Sequence, residues 1–194
     1  MTTRPERPAR RMQLFDALIG RFPVGRLVDL GAGHGQFSLR AADAGWSVTA
    51  VDARESRFPP DDRITWVRQD VRTFDLGGFD LILCLGLFYH LTIDDQVALL
   101  DRAAGTPMII DTHVATAKPT HRLSAPVTAL GYRGRLYSEE GWEERDTASW
   151  QNDASFWPRP REFYRMLAEH GYPAVFAGVP WVTTDRTFFL CLPA

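Results

Sequence analysis

Val28-Asp29-Leu30-Gly31-Ala32-Gly33-His34-Gly35-Gln36 joins a short apolar segment, 26–30, to an amphipathic one, 36–44. Glycine at every second position lets the backbone enter the left-handed region and lets a ligand approach it closely. A strand, a glycine turn and a helix in that order mark the carboxyl end of a strand in an open α/β sheet, where such folds bind ligands. A phosphate loop of the Walker type is excluded, because no Gly-Lys-Ser/Thr follows. A dinucleotide fingerprint, Gly-x-Gly-x-x-Gly, is met by Gly31 and Gly33 but broken at Gln36, which argues against an NAD-dependent oxidoreductase.

Outward from this loop, strand-like and helix-like segments alternate. Short segments rich in Val, Leu, Ile and Trp at 47–51 and 64–68, and nearly continuous apolar runs at 79–85 and 107–112, predict strands of a parallel sheet, the runs being buried on both faces. Helices are predicted at 9–20, 93–104 and 161–170. Thr92 is placed to cap the second of these, with Asp94 and Asp95 in its first turn, while Pro160 and Gly171 bracket the third. Two further strands, 174–179 and 187–192, are separated by too few residues for a crossover helix and are expected to pair antiparallel. The pattern predicts one α/β domain spanning 1–194 with a mostly parallel sheet. Segment 116–158 shows no core period and reads as an irregular substrate-side insert or lid.

Composition is that of a soluble globular chain: 194 residues, 45% hydrophobic, 24% charged, formal net charge -2. That charge gives no basic footprint for nucleic acid. The arginines Arg4, Arg7, Arg10 and Arg11 read as a solvated N-terminal tail. Cys84 and Cys191 sit inside apolar runs and read as buried thiols, with no disulfide framework and no zinc spacing. Neither a signal-peptide core nor a membrane-length apolar run is present, so a cytoplasmic protein with no membrane attachment, monomeric or homodimeric, is expected.

The segment VDLGAGHGQFS resembles motif I of the class I S-adenosylmethionine (SAM)-dependent methyltransferases. The resemblance extends in its motifs over about 24–115. It implies a three-layer α/β/α Rossmann-like sandwich with a mostly parallel seven-stranded sheet and an antiparallel C-terminal hairpin. It also implies SAM as cofactor and S-adenosylhomocysteine (SAH) as product. In that family the acid at Asp29 helps to hold the methionine amino group, and glycines such as Gly31, Gly33 and Gly35 face the cofactor. Asp52 ends the second strand, with Ala53 beside it, where the family places its ribose-binding acid. Asp70 ends the third strand and resembles the acid that meets the adenine amino group, with Val71 offering a backbone N–H. Leu85 ends the fourth, where the family lines the cleft.

Methyl transfer from a sulfonium needs alignment and water exclusion above all. A general base helps when the nucleophile carries a proton of high pKa. His90, just past the fourth strand, is the first candidate, and its alternative is a structural or pocket-wall role. Tyr89 beside it orients substrate or belongs to the core. His113 and Asp111, at the end of the fifth strand, are a second candidate base and a substrate-binding acid, or loop contacts. His34 in the glycine loop either touches the methionine carboxylate or points to solvent. No H-x-H or clustered carboxylate spacing suggests a metal.

Segment 132–157 interleaves aromatics with Glu139, Glu140, Glu143 and Glu144. It reads as an aromatic acceptor pocket with Trp150, Asn152 and Trp157 as substrate contacts, or as a satellite core whose acids form a solvated face. More distantly, Asn152 through Pro158 resembles enzymes that modify wobble uridine in tRNA; those carry a large basic N-terminal extension, and with a net charge of -2 this sequence is not expected to hold tRNA. The leading expectation is O- or N-methylation of a small-molecule acceptor. An RNA- or tRNA-directed methyltransferase and a non-catalytic SAM-binding protein are the alternatives.

Overall fold

A computed structural model describes residues 6–115, 122–139, 149–180 and 186–194. Strands β1 (Arg26–Leu30), β2 (Ser47–Asp52), β3 (Ile64–Arg68), β4 (Leu81–Leu85) and β5 (Met108–His113) form the parallel part of one sheet. Strands β9 (Ala174–Gly178) and β10 (Arg186–Leu192) complete it. Its order is β3-β2-β1-β4-β5-β10-β9, with β10 antiparallel to both neighbours, as the short connection demands.

Side chains alternate across each strand and sort the core into two halves. Val28 and Leu30 face the half built on α3 (Ile93–Ala103) and α4 (Pro160–Glu169), packed by Leu99, Leu100, Phe163 and Met166. Leu27 faces the half built on α1 (Glu6–Ile19) and α2 (Gln36–Asp43), packed by Phe15, Ile19, Phe37 and Ala41. The result is the expected three-layer α/β/α sandwich. Thr92 caps α3 by accepting from the Asp95 N–H, and Pro160 occupies the first turn of α4. Both cysteines are free and buried, and burial raises both thiol pKa values.

Segment 116–158 departs from the expectation of irregular chain. Its described part contains β6 (Val127–Ala129), β7 (Tyr132–Ser138) and β8 (Ala154–Pro158), an antiparallel sheet of order β6-β7-β8. The period was hidden because an inward position of β7 is Gly134. A Cβ there would stand 2.5 Å from the Phe156 ring, so the strand is marked by a missing side chain rather than an apolar one. This small sheet is bound to the turn after β4. Gln96, fully buried on α3, donates to the carbonyls of Phe88, Leu91 and Phe156, and the Phe156 N–H donates to Leu91 O at 3.0 Å.

Candidate functional site

The glycine loop runs off the end of β1 with Gly31, Gly33 and Gly35 at φ 68°, 55° and 67°, where side chains beyond glycine are strained. The Gly31 and Ala32 N–H groups donate to Val51 O of β2, so the loop is tied to the neighbouring strand. Asp52 completes that tie. Its two carboxylate oxygens accept from the Gly33 and Arg54 N–H groups, each at 2.9 Å, which fixes the carboxylate at the cleft wall. A Cβ at Gly33 would meet nothing within 4 Å, whereas one at Gly35 would collide with the Trp66 ring at 2.4 Å. Gly33 therefore borders open space and Gly35 makes room for the core.

A cleft of about 350 Å³ opens at these strand ends, within the range of small-molecule sites. Gly31, Gly33, Asp52 and Ala53 line it from the ends of β1 and β2, Asp70, Val71 and Leu85 from the ends of β3 and β4, and Tyr89, His90, Trp150 and Asn152 from the β4 turn and the insert. His34 stands at the same cleft, exposed. Arg54 spreads its guanidinium over the Trp150 ring at 5.1 Å, so the insert reaches across to the end of β2. Arg72 forks onto Asp70 and holds its carboxyl below the usual carboxylate range. Burial pushes the Tyr89 phenol up, against the nearby Arg186 charge, so Tyr89 keeps its proton and can donate.

Five sequence candidates do not line the cleft: Gly35, which packs against Trp66, and four more. Asp29 is 2% exposed and does not line the cleft; its carboxyl accepts from Ser38 Oγ at 2.6 Å. Burial pushes that carboxyl up to about 7 against the Ser38 bond, with the Asp52 charge adding to the rise. Asp111 is fully buried. It takes a two-pronged bond from Arg186 (2.8 and 3.0 Å) and a further one from Arg11. His113 stacks on Trp157 with centroids 4.8 Å apart, and Trp157 stacks on Tyr137 at 4.7 Å. Neither His113 nor Trp157 reaches the cleft, and Trp157 Nε1 donates to Tyr89 O.

Several cleft residues had no local signal. Arg11 is not part of a solvated tail: it sits on α1, on the Asp111 side of the sheet, and lines the cleft with Arg186. Asp111 thus anchors two cationic side chains instead of offering itself to a ligand. Glu139 is not on a solvated face either, since its side chain is 3% exposed and meets His90. Glu140, Glu143 and Glu144 lie outside the described residues. Among the described residues no three His, Cys, Asp or Glu side chains gather as a metal-binding group, and no helix is long and apolar enough to cross a membrane.

A family model described as a methyltransferase domain matches residues 3–175. No curated protein matches the sequence. Among solved structures, the N-terminal domain of EvdMO1 with SAH bound is 22% identical, covering 97% of this chain and 80% of that one, with a TM-score of 0.70. Burkholderia thailandensis 1,6-didemethyltoxoflavin-N1-methyltransferase, with its substrate and SAH, is 19% identical over 95% of this chain and 76% of that one, TM-score 0.63. The glycopeptide N-methyltransferase MtfA with SAM is 18% identical over 94% and 86%, TM-score 0.65.

Proposed function

Because the chain belongs to the methyltransferase domain family, we propose that it transfers the methyl group of SAM to an oxygen or nitrogen atom of a small-molecule acceptor. The observation that carries the reading is Asp52. Its carboxylate is held by two backbone N–H groups at the cleft wall and retains lone pairs for a pair of ribose hydroxyls. Gly31 and Gly33 give the methionine end a close approach to the backbone. Val71 and Leu85 provide an apolar bed for adenine, with Asp70 at its edge. Asp29 stands behind the loop, where a bound ammonium would favour its ionised form. When bound, SAM supplies a methyl carbon already activated by its sulfonium.

The acceptor side is the wall of Tyr89, His90, Trp150 and Asn152. Three things support a small acceptor: the cleft volume, the net charge of -2, and the small-molecule and glycopeptide substrates named for the structural neighbours. The test is transfer of labelled methyl from SAM, run in parallel with a panel of hydroxyl- and amine-bearing small molecules and with bulk tRNA. Label in the small-molecule fraction is the expected result. Label in RNA overturns the small-acceptor reading. SAH binding without turnover of any acceptor identifies a cofactor-binding protein that does no chemistry.

A further inference from the structure

His90 closes the short turn Phe88–His90 after β4; it lines the cleft, and its side chain is 18% exposed. Its Nδ1 lies 3.0 Å from Oε1 of Glu139, the residue that follows β7. The same Oε1 accepts from Ser155 Oγ of β8 at 2.7 Å, and Ser155 is fully buried. The Glu139 N–H donates to Asp153 O at 3.0 Å, and Asn152 Nδ2 donates to the His90 carbonyl at 3.1 Å. The small sheet therefore grips His90 twice, by its ring and by its backbone.

An ionised carboxylate only accepts hydrogen bonds, so the nitrogen facing Glu139 is the one that carries the proton. That leaves Nε2 with a bare lone pair. A histidine that merely fills a wall has no need of an acid brought in from 49 residues away and buried to 3% exposure, since burying a carboxylate is costly unless it is paired. A proton arriving at Nε2 turns the contact into a charge-assisted hydrogen bond with Glu139.

We propose that Glu139 is the positioning residue that holds His90 as the Nδ1–H tautomer and makes Nε2 the proton acceptor for methylation of a hydroxyl group. The proposal rests on the methyltransferase reading. As a lone pair of the acceptor oxygen forms the new C–O bond, the methyl–sulfur bond breaks and its electron pair stays on sulfur. The hydroxyl proton passes to Nε2, and the resulting imidazolium, paired with Glu139, later releases it to solvent. A hydroxyl is the acceptor class that gains from this device, because its proton is of high pKa and must be taken as the new bond forms.

The first test needs no acceptor. Ring 15N NMR of the full chain at about pH 8.5, above the ordinary histidine range, reports which nitrogen holds the proton. The His90 signal is assigned by its loss in His90→Gln. The expected wild-type state is Nδ1–H with bare Nε2, and Glu139→Gln, which keeps the shape but not the charge, shifts the population toward Nε2–H. In turnover, kcat falls about 100-fold in His90→Gln and at least about tenfold in Glu139→Gln. The double variant falls no further than His90→Gln. SAH affinity and acceptor KM in Glu139→Gln stay within about twofold of wild type, because Glu139 does not line the cleft. An Nε2–H tautomer in the wild type, an unchanged kcat in Glu139→Gln, or losses that multiply in the double variant overturns the proposal. A wild type that binds SAH and methylates nothing fails the methyltransferase reading instead, and the tautomer still decides the role of Glu139.

Discussion

Asp29 is the residue whose sequence context and surroundings differ most. Placed in the glycine motif it reads as a ligand-facing acid, yet it points to the α2 face of the sheet, because side chains of β1 alternate and Asp29 shares the side of Leu27. Its carboxyl is pushed up to about 7 from an ordinary 3.8. Between those two pH values the unfolded chain has lost the proton and the folded chain keeps it. The folded state then binds more protons, so stability falls as pH rises through this window and levels off above it. Asp29→Asn removes the titration. Urea unfolding across the same range should show a downward slope with rising pH in the wild type and a flatter one in the variant. Equal slopes would mean that Asp29 is ionised throughout. Asp52, Asp70 and Leu85 were legible because Asp52 and Leu85 end strands and Asp70 follows β3 by two residues, and strand ends are readable from apolar runs. Arg11, Arg186 and Glu139 were not: their meaning comes from contacts 100, 75 and 49 residues away.

At the scale of elements, the seven main strands and four helices follow from period and capping, with boundaries within about two residues except the start of α1, which lies three residues earlier than expected, at Glu6. The small sheet does not, since Gly134 and the alternating charges of β7 mask its inward face. Its attachment is a matter of a few polar groups. Gln96 alone shares its amide N–H groups among carbonyls of the Phe88–His90 turn, its next residue and β8. Gln96→Leu keeps the volume and takes this donor from Phe156 O, while Phe88 O and Leu91 O keep the Leu91 and Phe156 N–H groups. It should lower the unfolding free energy by about 2 kcal/mol and loosen β8, seen as faster amide exchange at Phe156. Unchanged stability would mean that water replaces the amide.

For the molecule as a whole, the sheet order puts the ends of β1 to β4 along one edge, and the cleft runs across all of them. This much is topology, and a parallel sheet with its glycine turn was enough to foresee it. Helix α1 and strand β10 lie far apart in the chain. They meet only because β10 inserts beside β5 and α1 covers that face, which brings two arginines onto Asp111. The cleft lining by Tyr89, His90, Trp150 and Asn152 depends on the small sheet folding back over the β4 turn, an arrangement that no local pattern encodes.

SAM as the ligand of this cleft is tested by calorimetric titration with SAH, with NAD as the comparison ligand. SAH should bind with a Kd near 10⁻⁶ M, about -8 kcal/mol, and NAD should not bind. In Asp52→Asn the affinity for SAH should fall about 30-fold, the loss of roughly 2 kcal/mol in hydrogen bonds to a charged acceptor. NAD binding without SAH binding, or SAH affinity indifferent to Asp52→Asn, would contradict SAM as the ligand.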